Sequence, residues 1–223
     1  MGPISKKSHA VTAVQHPLIQ HHLAVLRDKN SSFETFRAAG KRITQILMTQ
    51  ACQDLPLSVK TIETPVCEMK ANVIAKDYAI FLCPILRAGL VMTDVALDLL
   101  PMASVYHIGL KRDEDTLQPI TYYEKLPSQF NPDNLSVFVL DPMLATGGSA
   151  LSAIELLSQR GIPQKAIRLV SLIAAPEGIS FLNEKAPDVV IYTASIDERL
   201  NEKAYIVPGL GDAGDRTFGT IEA

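Results

Sequence analysis

Val137-Phe138-Val139-Leu140-Asp141-Pro142-Met143-Leu144-Ala145-Thr146-Gly147-Gly148-Ser149 is the stretch that sets the fold class of this chain. Four apolar residues deliver a carboxylate, a turn of small residues follows, and a helical stretch to about Gln159 opens at Ser149. A continuous apolar run is the mark of a strand buried on both faces. Gly147 and Gly148 permit backbone conformations closed to residues with a side chain. The amides of Thr146 to Ser149 can therefore converge on one phosphate at a helix N-terminus, where the dipole favours an anion. Thr146 and Ser149 add hydroxyl donors. Asp141, acceptor-only when ionised, suits the vicinal hydroxyls of a sugar. The whole stretch reads as a grip for a ribose 5-phosphate. It is not a P-loop, because the lysine of GxxxxGK[ST] is missing, and it is not GxGxxG.

The same grammar recurs on both sides. Upstream, the apolar run Tyr78 to Cys83 ends in Pro84-Ile85-Leu86-Arg87-Ala88-Gly89 and leads into a helical stretch carrying Leu90, Val91, Val95, Ala96 and Leu99. A second run, Ser104 to Leu110, precedes the polar segment Lys111-Arg112-Asp113-Glu114-Asp115. Downstream, Gly161 closes the helix as a C-terminal cap, and Ile167 to Ala174 and Val189 to Thr193 are further strands with a short helix between them. This alternation predicts an α/β fold, a doubly wound and mainly parallel sheet flanked by helices. Ligands of such sheets sit beyond the carboxyl ends of the strands, where the loops at Arg87, Arg112 and Asp141 emerge. Two helices come first. Pro17 to Arg27 has apolar residues at helical spacing, and Ser31 with Glu34 has the spacing of a capping box for a second helix. This pair is expected to form a packing or subunit-contact layer.

Composition removes whole classes of function. The chain has 223 residues, 47% of them hydrophobic, which suits one domain with a sizeable core. Lys and Arg number 21 against 24 Asp and Glu, a net charge of −3 that argues against a nucleic-acid backbone binder. Cys52, Cys67 and Cys83 form no CxxC pair and fit a reducing cytoplasm better than a disulfide framework. No long apolar span suggests a membrane segment, and Met1 to Ala10 lacks the apolar core of a signal peptide. His107, within an expected strand, reads as a core residue rather than a base.

Asp141 to Ser149 resembles the phosphoribosyl pyrophosphate (PRPP) loop of type I phosphoribosyltransferases, and DPMLATGGS is similar to the version in the uracil-specific branch. Many type I enzymes start this loop with two adjacent acids. Here Pro142 follows Asp141, which departs from the wider superfamily and agrees with the uracil branch. Pro84 to Gly89 resembles the pyrophosphate loop of the same branch. The C-terminal Tyr205-Ile206-Val207-Pro208-Gly209-Leu210-Gly211-Asp212-Ala213-Gly214-Asp215-Arg216-Thr217-Phe218-Gly219-Thr220, with its four glycines, resembles the segment that lines the base pocket. The likeness runs from about His16 to the end. Ala174 to Gly178 and Tyr192 to Asp197 also look like family segments, of the framework kind.

The resemblance implies an enzyme that converts uracil and PRPP to UMP and diphosphate. It assigns PRPP to Arg87, Arg112, Asp141, Pro142, Met143, Leu144, Ala145, Thr146, Gly147, Gly148, Ser149 and Asp212. Uracil falls to Ile206, Gly211, Asp212 and Ala213, and Asp212 is the candidate for assisting the departing proton. A planar guanidinium suits pyrophosphate oxygens. Mg2+ is expected with the pyrophosphate rather than in a protein cage. A single phosphoribosyltransferase domain is expected over residues 1–223, with 1–15 a flexible extension and 195–223 a small hood over the base. A homo-oligomer, dimer or larger, and a GTP activator complete the family picture. Two rivals stand beside it: a transferase for a purine or orotate, and a regulator of the same fold that binds nucleotides or RNA. A dinucleotide oxidoreductase lacks its glycine fingerprint here.

Overall fold

Strands with no polar face must be buried on both sides, and the chain builds outward from two of them. A computed structural model describes residues 11–112, 119–127 and 129–220. In chain order the elements begin with β1 (Val11–Ala13), α1 (Pro17–Arg27), α2 (Phe33–Ala51), β2 (Leu57–Glu63), β3 (Glu68–Ile74), β4 (Ala79–Leu86) and α3 (Leu90–Leu99). There follow β5 (Ser104–Val105), β6 (Ile108–Arg112), β7 (Pro119–Glu124), β8 (Leu135–Leu140), β9 (Met143–Leu144) and α4 (Gly148–Gln159). The last group is β10 (Ile167–Ala174), α5 (Pro176–Lys185), β11 (Val190–Ile196), β12 (Arg199–Leu200), β13 (Ile206–Val207) and α6 (Ala213–Phe218).

The main sheet has the order β1-β11-β10-β8-β4-β6-β7, with β5 beside β4 and β9 beside β10. Its pairings are parallel except that β7 runs antiparallel to β6. Every residue of β8 and β10 is buried, and each buried Val, Leu or Ile contributes roughly 1.5–3 kcal/mol. Side chains alternate across β8 as a pleat requires. Phe138 and Leu140 join the cluster formed by α1, α2 and α3, with Leu26, Phe36, Leu47 and Met92. Val137 and Val139 join the opposite cluster with Ile154, Leu157 and Leu182 of α4 and α5. The sheet is thus covered on both faces. From β4 the chain winds outward to β6, and from β8 it winds the other way to β10. The order reverses between neighbours β4 and β8, so the crevice lies at their carboxyl ends. Those ends carry Arg87 and Asp141.

Several local expectations change. Val11–Ala13 pairs with Ile191, Tyr192 and Thr193 as an edge strand, so the extension expected over 1–15 gives way to sheet there; an open edge of β11 offers unpaired backbone groups that a strand can satisfy. Residues 1–10 lie outside the described ones. The cap of α2 is Ser32, whose Oγ accepts the Thr35 N–H at 3.2 Å. Ser31 instead donates to the Val25 carbonyl at 2.7 Å, so the helix starts one residue later than the Ser31/Glu34 spacing implies. The run Ser104 to Leu110 splits into β5 and β6. His107 falls between them, half-buried, where it lines a surface hollow with Arg37 and Phe218 rather than the core. Beyond the expected strands, β2 and β3 form an antiparallel arm of their own. Among the described residues, no helix is long and apolar enough to cross a membrane.

Candidate active site

Pro142 shapes the start of the 141–149 loop. Proline has no N–H to give to a ladder, so the pairing of β8 with β10 is interrupted there. The Pro142 carbonyl accepts the N–H groups of Leu172 and Ile173 at 2.9 and 3.1 Å, and β9 resumes the pairing at Met143↔Ile173 and Leu144↔Ala174. The first half of this segment is therefore sheet rather than free loop. Asp141, at the interruption, has its carboxyl pushed up to about 7 by burial, against the pull of the Met143 N–H.

The second half is a turn into α4. Gly147 stands at φ +87° as the N-cap, and its carbonyl accepts the Leu151 N–H at 2.9 Å. A left-handed residue at this point favours glycine. A Cβ there would also lie 2.9 Å from the Phe181 ring. Asp141, Met143, Leu144, Ala145, Thr146, Gly147, Gly148 and Ser149 together line one hollow of ≈ 180 Å³ at the head of α4. Pro142 is buried in the ladder beneath it.

Arg87 follows β4 across a cis Leu86–Arg87 peptide bond. Its guanidinium is 3.3 Å from Asp215 Oδ1 and lies over the Phe218 ring at 5.8 Å from the centroid. The turn behind it is tight. A Cβ on Gly89 would stand 2.4 Å from the Leu140 carbonyl oxygen, so the loops leaving β4 and β8 touch through that glycine. Arg112 closes β6; its side chain and the segment 113–118 lie outside the described residues.

The C-terminal segment leaves the carboxyl end of β11 as the hairpin β12–β13 and then α6. Asp212 caps α6, its Oδ1 accepting the Asp215 N–H at 2.9 Å. Ile206 and Asp212 share a cavity of ≈ 220 Å³ with Met143 and Ala145 of the 141–149 loop. Gly211 lines a separate hollow with Arg27 and Arg216, and Ala213 is fully buried at the start of α6. The shared cavity also holds Tyr205, the first residue of the segment likened to a base pocket, and Lys203 and Ala204, which lie upstream of that segment. Asn201 organises them. Its side-chain oxygen accepts the N–H groups of Lys203 and Tyr205 at 3.0 and 2.9 Å, and Ala204 takes a left-handed φ of 61°. An asparagine two residues before a turn backbone was the available signal.

Among the described residues no cluster of three or more His, Cys, Asp or Glu side chains could hold a metal ion. The carboxylate in contact with Arg87 is that of Asp215, and Asp212 caps the helix that carries Asp215.

Comparison with known proteins bears on the same segments. The family model described as uracil phosphoribosyltransferase matches residues 13–220. A relative from Levilactobacillus brevis named uracil phosphoribosyltransferase is 53% identical over 208 residues, covering 93% of this chain and 97% of that protein. The solved structure of AQ2163 protein from Aquifex aeolicus is 37% identical, covers 96% of this chain and all of its own, and superposes with a TM-score of 0.87. An adenine phosphoribosyl transferase from Trypanosoma brucei, at 10% identity, covers 93% of this chain and 90% of its own with a TM-score of 0.56, a likeness of fold alone. The sheet with its reversal between β4 and β8, and the match across 13–220, place this chain in the uracil phosphoribosyltransferase family.

Proposed function

We propose that this chain transfers the 5-phosphoribosyl group of PRPP to uracil, giving UMP and diphosphate in pyrimidine salvage. The observation that carries the reading is the cavity shared by Met143 and Ala145 with Tyr205, Ile206 and Asp212. It joins the loop suited to a ribose 5-phosphate to the segment suited to a pyrimidine, so the two reactants can meet where those surfaces touch.

In the reaction the uracil nitrogen forms a bond to C1 of the ribose while the bond from C1 to the diphosphate oxygen breaks, with inversion. The amides of Thr146 to Ser149 hold the 5-phosphate, and Asp141 accepts from the ribose hydroxyls. Fixing both reactants removes much of the entropic barrier. Arg87 and Arg112 stabilise charge on the leaving diphosphate. Arg87 is well placed to change partners, since its present partner is an exposed carboxylate and such pairs are worth roughly 0–1 kcal/mol. Magnesium, when bound, would supply charge neutralisation at the diphosphate. It would be held chiefly by the diphosphate's own oxygens and water, with Asp212 and Asp215 the chain's hard oxygen donors at hand. The base is read by Ile206, Gly211, Asp212 and Ala213, largely through backbone groups. Uracil presents carbonyl, N–H and carbonyl along one edge, and cytosine reverses two of these. A mismatch leaves buried groups unpaired at roughly 1–3 kcal/mol each. Asp212 takes the proton lost by the uracil nitrogen; its Oδ1 caps α6, and Oδ2 is the oxygen available for that role.

The chain is expected to work in the cytoplasm as a homo-oligomer, and to respond to GTP. The exposed apolar side chains of the β2–β3 arm, Leu57, Val59, Val66 and Met69, support self-association. Incubation with uracil, PRPP and magnesium, with and without GTP, followed by chromatography of the products, tests the reaction. UMP and diphosphate in equal amounts are expected. Hydrolysis of PRPP with no nucleotide formed would contradict the assignment.

A further inference from the structure

Asp197 lies just past the carboxyl end of β11 with a side chain only 1% exposed, a costly position for a charge unless it is fully paired. Its pairing is complete. Arg27, the last residue of α1, donates Nη1 to Oδ2 at 2.7 Å and Nη2 to Oδ1 at 2.6 Å. Ser195 Oγ is 2.8 Å from Oδ1, and the Gly209 N–H donates to Oδ2 at 2.9 Å. Burial alone would raise this carboxyl, but the hydrogen bonds from Arg27, Ser195 and Gly209 and the Arg27 charge together hold it below its usual value.

The same guanidinium also donates to the Gly209 carbonyl at 2.9 Å. Both backbone groups of Gly209 are therefore fastened to one buried ion pair. The turn has no slack of its own: Gly209 takes φ +63°, and a Cβ there would fall 2.1 Å from the Ile206 carbonyl oxygen. The next residue is fastened as well. Arg216 Nη1 donates to the carbonyls of Leu210, at 2.8 Å, and of Leu26, and its Nη2 to that of Asp28 at 2.6 Å. The end of α1 thus holds the turn between Ile206 and Asp212, two residues that line the shared cavity.

We propose that Arg27 and Asp197 are positioning residues for the base, fixing the backbone of Gly209 and Leu210 so that Ile206 and Gly211 to Ala213 present their groups to uracil in register. This rests on the base-binding role given to that segment above. The role proposed for the pair is exercised through the backbone of Gly209 and not by contact with substrate. It acts on base affinity and base choice because backbone recognition tolerates little displacement, and an error of about 1 Å in a site can cost on the order of 10²-fold in rate. Asparagine cannot replace Asp197, since its amide carries two donors of its own where Arg27 and Gly209 already donate. Lysine cannot replace Arg27, since one ammonium cannot reproduce the planar fork.

The test uses the full chain with Asp197→Asn, Arg27→Lys, the double variant and, as a control on the base site itself, Asp212→Asn. Steady-state KM and kcat are measured for uracil and PRPP, with turnover of cytosine and a urea midpoint for each variant. Either single variant is expected to raise KM for uracil by about tenfold or more, with KM for PRPP within about twofold, and to narrow the preference for uracil over cytosine. The double variant is expected to match the worse single one, as residues acting as one unit do. Should Asp197→Asn fail to fold, Arg27→Lys carries the test, because it keeps the charge. A lowered urea midpoint with an unchanged KM for uracil, or KM rising equally for both substrates, would overturn the proposal. If Asp212→Asn alone impairs uracil use, positioning fails and the base-binding role stands; if all of the variants leave uracil KM unmoved, that role fails too.

Discussion

The carbonyl oxygen of Ala145 lies 2.3 Å from the point that a Cβ on Gly178 would occupy. The first turn of α5 therefore supports the 141–149 loop by direct backbone contact. Glu177, its neighbour, accepts the Leu200 N–H of the C-terminal hairpin at 2.9 Å. One helical turn thus sets the spacing between the segment suited to the sugar phosphate and the segment suited to the base. Ala174 to Gly178 is framework, as its sequence suggests, but framework that spaces two halves of a site.

Replacing that glycine should displace the loop. Gly178→Ala places a methyl group inside a backbone oxygen's radius, and overpacking of this kind costs roughly 1–3 kcal/mol. The expected result is a fall of about 10²-fold in kcat/KM for PRPP with a lowered urea midpoint. Kinetics and urea unfolding of one preparation check both. An unchanged kcat/KM for PRPP would mean that the loop adjusts freely.

Asp141 should show its burial in the pH dependence of stability. Its carboxyl moves from 3.8 to about 7 on folding, so the folded state binds this proton more tightly than the unfolded one. The associated stability is full below the unfolded value and is lost as pH rises through about 7. Asp141→Asn never ionises. The unfolding free energy of the variant relative to the parent is therefore expected to improve from about pH 4 to about pH 7 and to level off above it, while turnover with PRPP falls by about 10²-fold or more. A stability difference constant over that range would contradict the burial argument.

Arg87 should matter to catalysis and hardly to stability. Its ion pair with Asp215 is exposed, and such pairs contribute roughly 0–1 kcal/mol. Arg87→Lys keeps the charge but loses bidentate contact with phosphate oxygens. The expected outcome is a loss of about 10²-fold in kcat/KM for PRPP, with a melting temperature close to that of the parent. A large loss of melting temperature would reassign Arg87 to the fold.

The parts of this molecule that were legible in sequence are those whose signal is contiguous. β8, the 141–149 loop and α4 form one unbroken stretch, in which burial, the aspartate and the glycines each constrain a neighbour. The β2–β3 arm gave no such signal, because β2 is almost wholly exposed and a search for buried apolar runs passes over it. β1 is three residues whose pairing depends on a strand about 180 positions away. Lys203 and Ala204 enter the site through a turn built by Asn201, not through side chains of a telling chemical type. Arg27 and Asp197 are separated by 170 residues, and nothing local marks either as the other's partner. Long-range pairing and backbone geometry are what a linear pattern conceals.

Base selection by the C-terminal segment is the property on which the proposed activity turns. We would measure kcat/KM with saturating PRPP and magnesium for uracil, cytosine, orotate, hypoxanthine and guanine. Turnover of uracil is expected, with cytosine poorer by on the order of 10²-fold or more, as two mismatched buried groups require, and no nucleotide from orotate or the purines. Comparable turnover of cytosine or of any purine would contradict the proposed activity.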